Sequence, residues 1–169
     1  KLISQPTGDG FVFRVDLDLR PEGRNGDLAN SLRSAEIYYE SWGQMWERSA
    51  MIKARCVAGD ASLGEKFIKM ITPFTYRKYL DFTSIEEIKA MKEKIDLAQI
   101  RSKNAAINVK LGRGGIREIE FFCQTLQLIY GGKNPEIRDN STLRAMEKLR
   151  DKDLLSAKDA SLLKDGYVF

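Results

Sequence analysis

The sequence predicts a mainly α-helical bundle domain preceded by a terminal β-strand or hairpin. Three observations carry that expectation. Residues 11–20 place an apolar side chain at every second position, with Arg14, Asp16, Asp18 and Arg20 between them from Phe13 onward. Almost everything after residue 31 spaces its apolar residues at the helical period. Glycine or proline punctuates the helical stretches at Gly43, Gly59, Pro73, Gly112 and Gly131.

The strand comes first. Phe11, Phe13, Val15, Leu17 and Leu19 fall on one side, and Val12, Arg14, Asp16, Asp18 and Arg20 on the other, as a period of two requires for one half-buried face. Pro21 and the turn-rich stretch that follows stop it. Asn25-Gly26 is a favoured tight-turn pair, so residues 27–30 are expected to pair back as a short return strand. Ser34 is then expected to cap a helix running to Ser41. After Gly43, residues 44–57 continue as a helix with Met45, Met51, Ile52 and Cys56 at packing positions. Asp60 opens a helix over 61–72, which Pro73 closes. Ser84 and Glu87 form the Ser-x-x-Glu signature of a capping box. From there Ile85, Ile88, Met91, Ile95 and Ile100 mark a long amphipathic helix to about Lys103. A short alternating piece, 107–111, leads into Gly112-Arg113-Gly114-Gly115, and residues 116–130 form the most apolar helix, expected to be the core. Gly131-Gly132 ends it, and 142–152 and 156–169 supply two further helices. The chain stops at Phe169 with no capping signal and opens just ahead of a lone strand, which needs a neighbour to be stable. Residues 1–30 are therefore expected to be the last strand portion of an incomplete sheet domain, and 31–169 a helical domain cut at its C-terminus.

Composition bounds the chemistry. The 169 residues hold 28 Lys+Arg against 24 Asp+Glu, 43% apolar residues and no His, which fits one ordinary globular chain rather than a disordered or disulfide-stapled one. The absence of His excludes His-dependent acid–base relays, Ser-His-Asp and Cys-His nucleophile pairs, and the commonest zinc ligand sets. Cys56 and Cys123 lie far apart among apolar neighbours and read as buried free thiols. No apolar run reaches the roughly 18 residues that span a bilayer, and the opening residues carry no secretory signal, so a cytoplasmic address with no membrane partner is expected. The positive excess is small and its cations are interspersed with carboxylates, which disfavours nucleic acid as a partner.

Three constellations could carry chemistry. Asp16 and Asp18 share a strand face about 6.6 Å apart, flanked by Arg14 and Arg20. A rigid carboxylate there suits Mg²⁺, with arginines for phosphate, and a solvated face with weak cross-strand ion pairs suits the same residues. In the second helix Arg48, Lys53 and Arg55 fall near one side, and Trp42 and Trp46 are spaced to stack against a neighbour. These residues make either a cationic stripe or an ordinary amphipathic face. The third is the glycine turn, where Lys110, Arg113 and Arg117 surround three glycines at a helix start, an arrangement open equally to phosphate contact and to plain capping. It matches neither GxxxxGK[ST] nor GxGxxG after a strand. Glu118 and Glu120 favour the helix dipole there. Asp151 and Asp153 form a second Asp-x-Asp, but on a helix these positions do not share a face.

Taken together, Val15-Asp-Leu-Asp-Leu-Arg-Pro21, the stretch from Tyr38 through Trp46-Glu47-Arg48 to Arg55, and Lys110-Leu-Gly-Arg-Gly-Gly-Ile-Arg-Glu-Ile-Glu-Phe121 resemble the glutamine synthetase adenylyltransferase/adenylyl-removing enzymes. The resemblance covers nearly the whole chain, and the Gly-Arg-Gly-Gly-Ile-Arg-Glu form is most similar to the N-terminal, deadenylylating half. It implies a polymerase-β-like nucleotidyltransferase sheet followed by a helical domain, with ATP, ADP and phosphate as substrates or products. It also implies Mg²⁺ held by an upstream Gly-Ser-x-Asp-x-Asp and one later carboxylate. Asp16 matches that later carboxylate and Arg20 the family's Leu-Arg-Pro arginine, while no Gly-Ser dipeptide occurs in this chain. The implied reaction is phosphorolytic removal of AMP from a glutamine synthetase tyrosine under control of the PII signal protein. Asp16 is then expected to ligate metal, and Arg20, Arg55 and Arg113 or Arg117 to hold phosphate. The isolated chain is expected to be inactive. The alternative expectation is a non-catalytic helical module that binds glutamine synthetase or PII.

Overall fold

In the computed structural model, residues 5–10, 12–13, 15–79, 82–101, 108–110 and 112–168 are described. Phe11 and Arg14 of the expected strand, the end of the long helix at 102–103, and positions 107 and 111 of the alternating piece lie outside them. The described residues form seven α-helices: α1 (Leu32–Ser41), α2 (Met45–Ile52), α3 (Ala61–Thr75), α4 (Phe82–Arg101), α5 (Ile116–Tyr130), α6 (Thr142–Asp151) and α7 (Ala157–Val168). The chain divides into two compact units, Lys1–Trp42 and Gly43–Phe169.

In the first unit the mainly helical expectation and the strand expectation part company. Among the described residues there is no strand and no hairpin; the one bridge joins Thr7 and Gly10, whose amides and carbonyls bond reciprocally at 2.7 and 3.1 Å. Val12, Val15 and Leu17 are 69%, 40% and 55% exposed, so neither side of the segment is covered. Alternation specifies which face a strand would bury, but a ladder also needs a neighbour, and no described segment of this unit supplies one. Residues 27–30 form no return strand, and the expected tight turn is a 3₁₀ turn, Gly23–Asn25. Glu22 and Gly23 both take positive φ, 60° and 57°, and fold the chain onto itself. A Cβ on Gly26 would stand 2.0 Å from the Pro21 carbonyl oxygen, so that approach admits only glycine. α1 is capped by Ser31, one turn earlier than the expected Ser34: the Ser31 hydroxyl accepts the Ser34 amide at 3.1 Å.

The second unit is built around α5. Ile119, Cys123 and Leu126 on one stripe join Ile137, Met146, Leu149, Leu155 and Ala160 in a core shared with α6 and α7. Phe121, Leu128 and Ile129 join Met45, Ile52, Ile88, Met91 and Tyr76 in a second core, shared with α2 and α4. At about 100° per residue these stripes face nearly opposite directions, so the helix expected to be the core is buried between two of them.

The caps set where each helix stops. α2 opens with a capping box in which the Gln44 amide donates to Glu47 Oε2 at 2.8 Å, and it ends at Ile52, short of the expected Val57. Asp60 caps α3 as expected. Pro73 lies inside that helix instead of closing it: proline forfeits only its own amide, and Tyr76 still donates to the Thr72 carbonyl. α4 begins at Phe82, ahead of the expected cap Ser84, which is buried in its first turn. α6 ends in a Schellman arrangement. Asp153, at φ 57°, donates to the Arg150 carbonyl, and Leu154 donates to the Leu149 carbonyl and packs on the core. The Asp151 and Asp153 pair therefore terminates a helix. Ser156 opens α7 by accepting the Asp159 amide at 3.1 Å.

The turn after α5 lies flush on the chain leaving α3. A Cβ on Gly132 would sit 2.0 Å from the Arg77 carbonyl oxygen, whereas Gly8 has nothing within 4 Å. Gly132→Ala should therefore cost about 1–3 kcal/mol in urea denaturation, and Gly8→Ala should stay within about 0.5 kcal/mol.

Candidate functional site

The acidic segment of the first unit is an ordered loop in which arginine plays the larger structural part. Asp16 Oδ1 accepts the Asp18 amide at 2.9 Å. Asp18 pairs with Arg24 at 2.9 Å, both well exposed. Arg20 donates from Nε to the Gly26 carbonyl at 3.0 Å, from one terminal nitrogen to Arg24 at 3.2 Å, and from the other to the Leu17 carbonyl. Those bonds use three of the five N–H donors of a guanidinium and staple the loop. The Asp16 side chain keeps a second carboxylate oxygen for another partner. Among the described residues no group of three His, Cys, Asp or Glu side chains comes together that could hold a metal ion.

In the second unit the expected cationic stripe is broken up by packing. Arg48 is buried, with its guanidinium 4.7 Å above the Phe74 ring. Lys53 turns inward, donating to the Thr142 hydroxyl at 2.7 Å and lying 3.7 Å from Glu120. Tyr167 donates to the same Glu120 oxygen at 3.0 Å, so this polar knot ties the end of α2 to α5, α6 and α7. Burial raises the Tyr167 phenol, opposed by Thr142 and helped by Glu120. Beside them the Cys123 thiol is pushed up to about 11 by burial, with Lys53 lowering it and Glu120 raising it. It is an inert core thiol, whereas Cys56, also expected inside, is exposed and lies against Gly64. Trp46 is 45% exposed, so it does not bury against a neighbour as its spacing suggested.

The glycine turn satisfies its own amides. Ile116 and Arg117 donate to the Val109 and Lys110 carbonyls, each at 3.1 Å, and Gly115 donates to Gly112 at 2.9 Å. Gly114, at φ 73°, donates to Glu118 Oε2 at 2.8 Å. The other Glu118 oxygen takes the Lys92 ammonium at 3.0 Å, and Lys92 also binds Asp96 at 2.6 Å. Burial works against the Lys92 charge, but these carboxylates outweigh it and raise its pKa. A Cβ on Gly115 would meet the Val109 carbonyl oxygen at 2.6 Å. Of the two readings open to this turn, capping accounts for its amides. Arg113 and Arg117 are left exposed at its rim, and Arg55 is exposed beyond the end of α2.

Sequence reasoning missed a cavity of about 290 Å³ between α2, α3 and the chain entering α6. Met51, Ile52, Ile68 and Ile71 give it an apolar wall, and Arg138, Asp139 and Asn140 a polar one. Arg138 stacks 4.8 Å over Tyr76 and donates to the Gly131 carbonyl at 2.7 Å. Burial pushes the Tyr76 phenol up to about 12. Asp139 is the hub: its carboxylate accepts from Arg144, Lys148 and the Ser141 amide, and its own amide donates to the buried Gln127. Burial pushes the Asp139 carboxyl up, but those three donors outweigh it and hold it well below the usual carboxylate range. The signal available was Asp139-Asn-Ser-Thr142, a run of cap-forming residues ahead of an amphipathic helix.

A family model described as Glutamate-ammonia ligase adenylyltransferase matches residues 1–70, and one described as GlnD PII-uridylyltransferase matches residues 86–169. Among curated proteins, the bifunctional glutamine synthetase adenylyltransferase/adenylyl-removing enzyme of Hahella chejuensis is 46% identical over 99% of this chain. Its counterparts from Rhizobium meliloti and Pseudomonas aeruginosa are 46% and 44% identical over the full chain. The chain spans 17% of the length of each of these relatives.

Asp139→Asn should destabilise the second unit by about 1–3 kcal/mol at neutral pH. Because the folded carboxyl titrates below its unfolded value, that difference should be complete above about pH 4 and should shrink as pH falls further. Paired urea titrations of the two proteins from pH 7 to pH 2 check the sign.

Proposed function

Since the chain belongs to the family of bifunctional glutamine synthetase adenylyltransferase/adenylyl-removing enzymes, we propose that it is part of a longer nucleotidyltransferase controlling glutamine synthetase. In this reading residues 1–30 are the last part of a nucleotidyltransferase domain and residues 31–169 form the helical domain that follows it. The observation that carries the reading is 46% identity, sustained over 99% of the chain, to a protein named for both adenylyl transfer and adenylyl removal. The Gly112-Arg-Gly-Gly-Ile-Arg-Glu118 form supports assignment to the deadenylylating half.

The proposed reaction is phosphorolysis of an adenylylated tyrosine. An oxygen of inorganic phosphate bonds to the phosphorus of the AMP group, the bond from that phosphorus to the tyrosine oxygen breaks, and the tyrosine oxygen takes up a proton; ADP leaves. Such a transfer asks a protein mainly for alignment and charge neutralisation, which needs no histidine. Asp16 offers its unshared oxygen as one carboxylate ligand to magnesium, whose remaining ligands would come from outside the described residues. The exposed guanidiniums of Arg55, Arg113 and Arg117 suit phosphate oxygens, and Arg20 brings the two N–H donors that its loop does not use. The proposed partners are glutamine synthetase, adenine nucleotides and the PII signal protein.

The match of residues 86–169 to a family named for PII uridylylation favours a second role for the helical unit. A helical stretch shared by two families whose names give different transfer reactions serves the handling of a protein substrate or regulator more naturally than one chemistry. On that reading this chain grips glutamine synthetase or PII while the reaction runs elsewhere in the enzyme.

In the full-length enzyme, Asp16→Asn should lower phosphate-dependent ADP release from adenylylated glutamine synthetase by about 10²-fold or more, with an unchanged circular dichroism spectrum. Unimpaired release would remove Asp16 from the metal site. The purified 169-residue chain should release no ADP under the same conditions, and turnover by it would show that the catalytic ligands are all present here.

A further inference from the structure

Two loops of the second unit meet where α3 leads out and α5 ends. Gly132 allows this, since its missing Cβ would lie 2.0 Å from the Arg77 carbonyl oxygen and 2.8 Å from Lys78 Cα. The contact sets Lys133 of one loop beside Lys78 and Tyr79 of the other. Tyr79 is 72% exposed. The ammonium groups of Lys133 and Lys78 stand over its ring, 5.3 and 5.8 Å from the centroid. Neither lysine forms an ion pair with another described residue, whereas Arg144 and Lys148 bind Asp139 and Lys152 binds Glu136.

We propose that Lys78, Tyr79 and Lys133 form a docking surface for an acidic polypeptide segment. The donors presented outward are two ammonium groups and a phenolic hydroxyl, a set that matches carboxylate oxygens. The ring strengthens the arrangement, because its π-system attracts both ammonium groups, which have no counter-ion among the described residues. The same feature argues against a nucleic acid. An unpaired base is held by stacking on an open aromatic face, and here the cations occupy the positions over the ring where a base would lie. This surface uses none of Asp16, Arg20, Arg55, Arg113 or Arg117, so it stands or falls independently of the phosphorolytic reading.

The test is fluorescence anisotropy of a labelled Glu/Asp-rich peptide with the intact protein. Lys78→Ala/Lys133→Ala should weaken binding by about tenfold or more, and added salt should weaken binding to the unaltered protein. The control pair Lys66→Ala/Lys158→Ala removes the same charge from exposed positions of α3 and α7 and should leave affinity nearly unchanged. An equal loss in both pairs would reduce the effect to net charge and overturn the proposal, as would failure of the unaltered protein to bind the peptide. Tighter binding of a labelled single-stranded oligonucleotide, lost in the Lys78/Lys133 variant, would overturn it in favour of a nucleic-acid surface.

Discussion

The second unit depends on one helix having no solvated long face. α5 presents Ile119, Cys123 and Leu126 to one core and Phe121, Leu128 and Ile129 to the other. A helix at the edge of a bundle can shed its polar residues to water on one side; α5 has only its ends and narrow seams for that purpose. Its N-terminus is therefore closed by its own preceding chain, with three glycines giving the backbone room to return and Glu118 accepting the Gly114 amide. Its C-terminus runs straight into Gly131-Gly132, where a side chain would collide with Gln127, Tyr76 or Arg77. The glycines at both ends thus serve the same need, which is to let neighbouring backbone come close to a helix already enclosed along its length.

The polar residues that accompany α5 follow from the same constraint. Gln127, Glu118 and Glu120 lie on a helix whose apolar faces are taken, and each is met by a specific donor from another element: the Asp139 amide, Lys92, and Lys53 with Tyr167. Buried polar groups are tolerated when they are paired, and these pairs tie α2, α4, α6 and α7 to the central helix. Many of the charges that a sequence reading offers to a ligand are spent on the fold. Arg48 lies on Phe74, Lys53 reaches Thr142, and Arg20 holds three carbonyls of its own loop. Among the cations left outward are the guanidiniums of Arg55, Arg113 and Arg117 and the lysine pair over Tyr79.

Helical segments were legible because their signals are local. Asp60 caps α3, Gly131 ends α5, and the α5 limits at 116 and 130 coincide with the expectation. Limits moved where a local signal had a competitor: Ser31 caps α1 in place of Ser34, and Pro73 sits in the last turn, where Tyr76 still donates to the Thr72 carbonyl. The strand was misjudged for a different reason. Alternation over residues 11–20 describes a surface ready to be covered, and whether it becomes a strand is settled by a pairing partner that a pattern cannot supply. The cavity walled by Met51, Ile71, Arg138 and Asp139 left no trace in spacing, because its sides come from three elements distant in the chain.

The order of residues by itself determined the helical class, the helix that both cores of the second unit share, the absence of histidine chemistry and the family to which the chain belongs. Each depends on composition, periodicity or a contiguous motif, all properties of neighbours along the backbone. Only the tertiary structure decided which charges are available to a ligand. A charge at Arg48, Lys53 or Asp139 is identical in sequence to one at Arg55 or Arg113 until folding brings a ring, a hydroxyl or a counter-ion against it. Burial and pairing are made between segments remote in the chain, and it is they that separate the charges holding the molecule together from those left facing solvent.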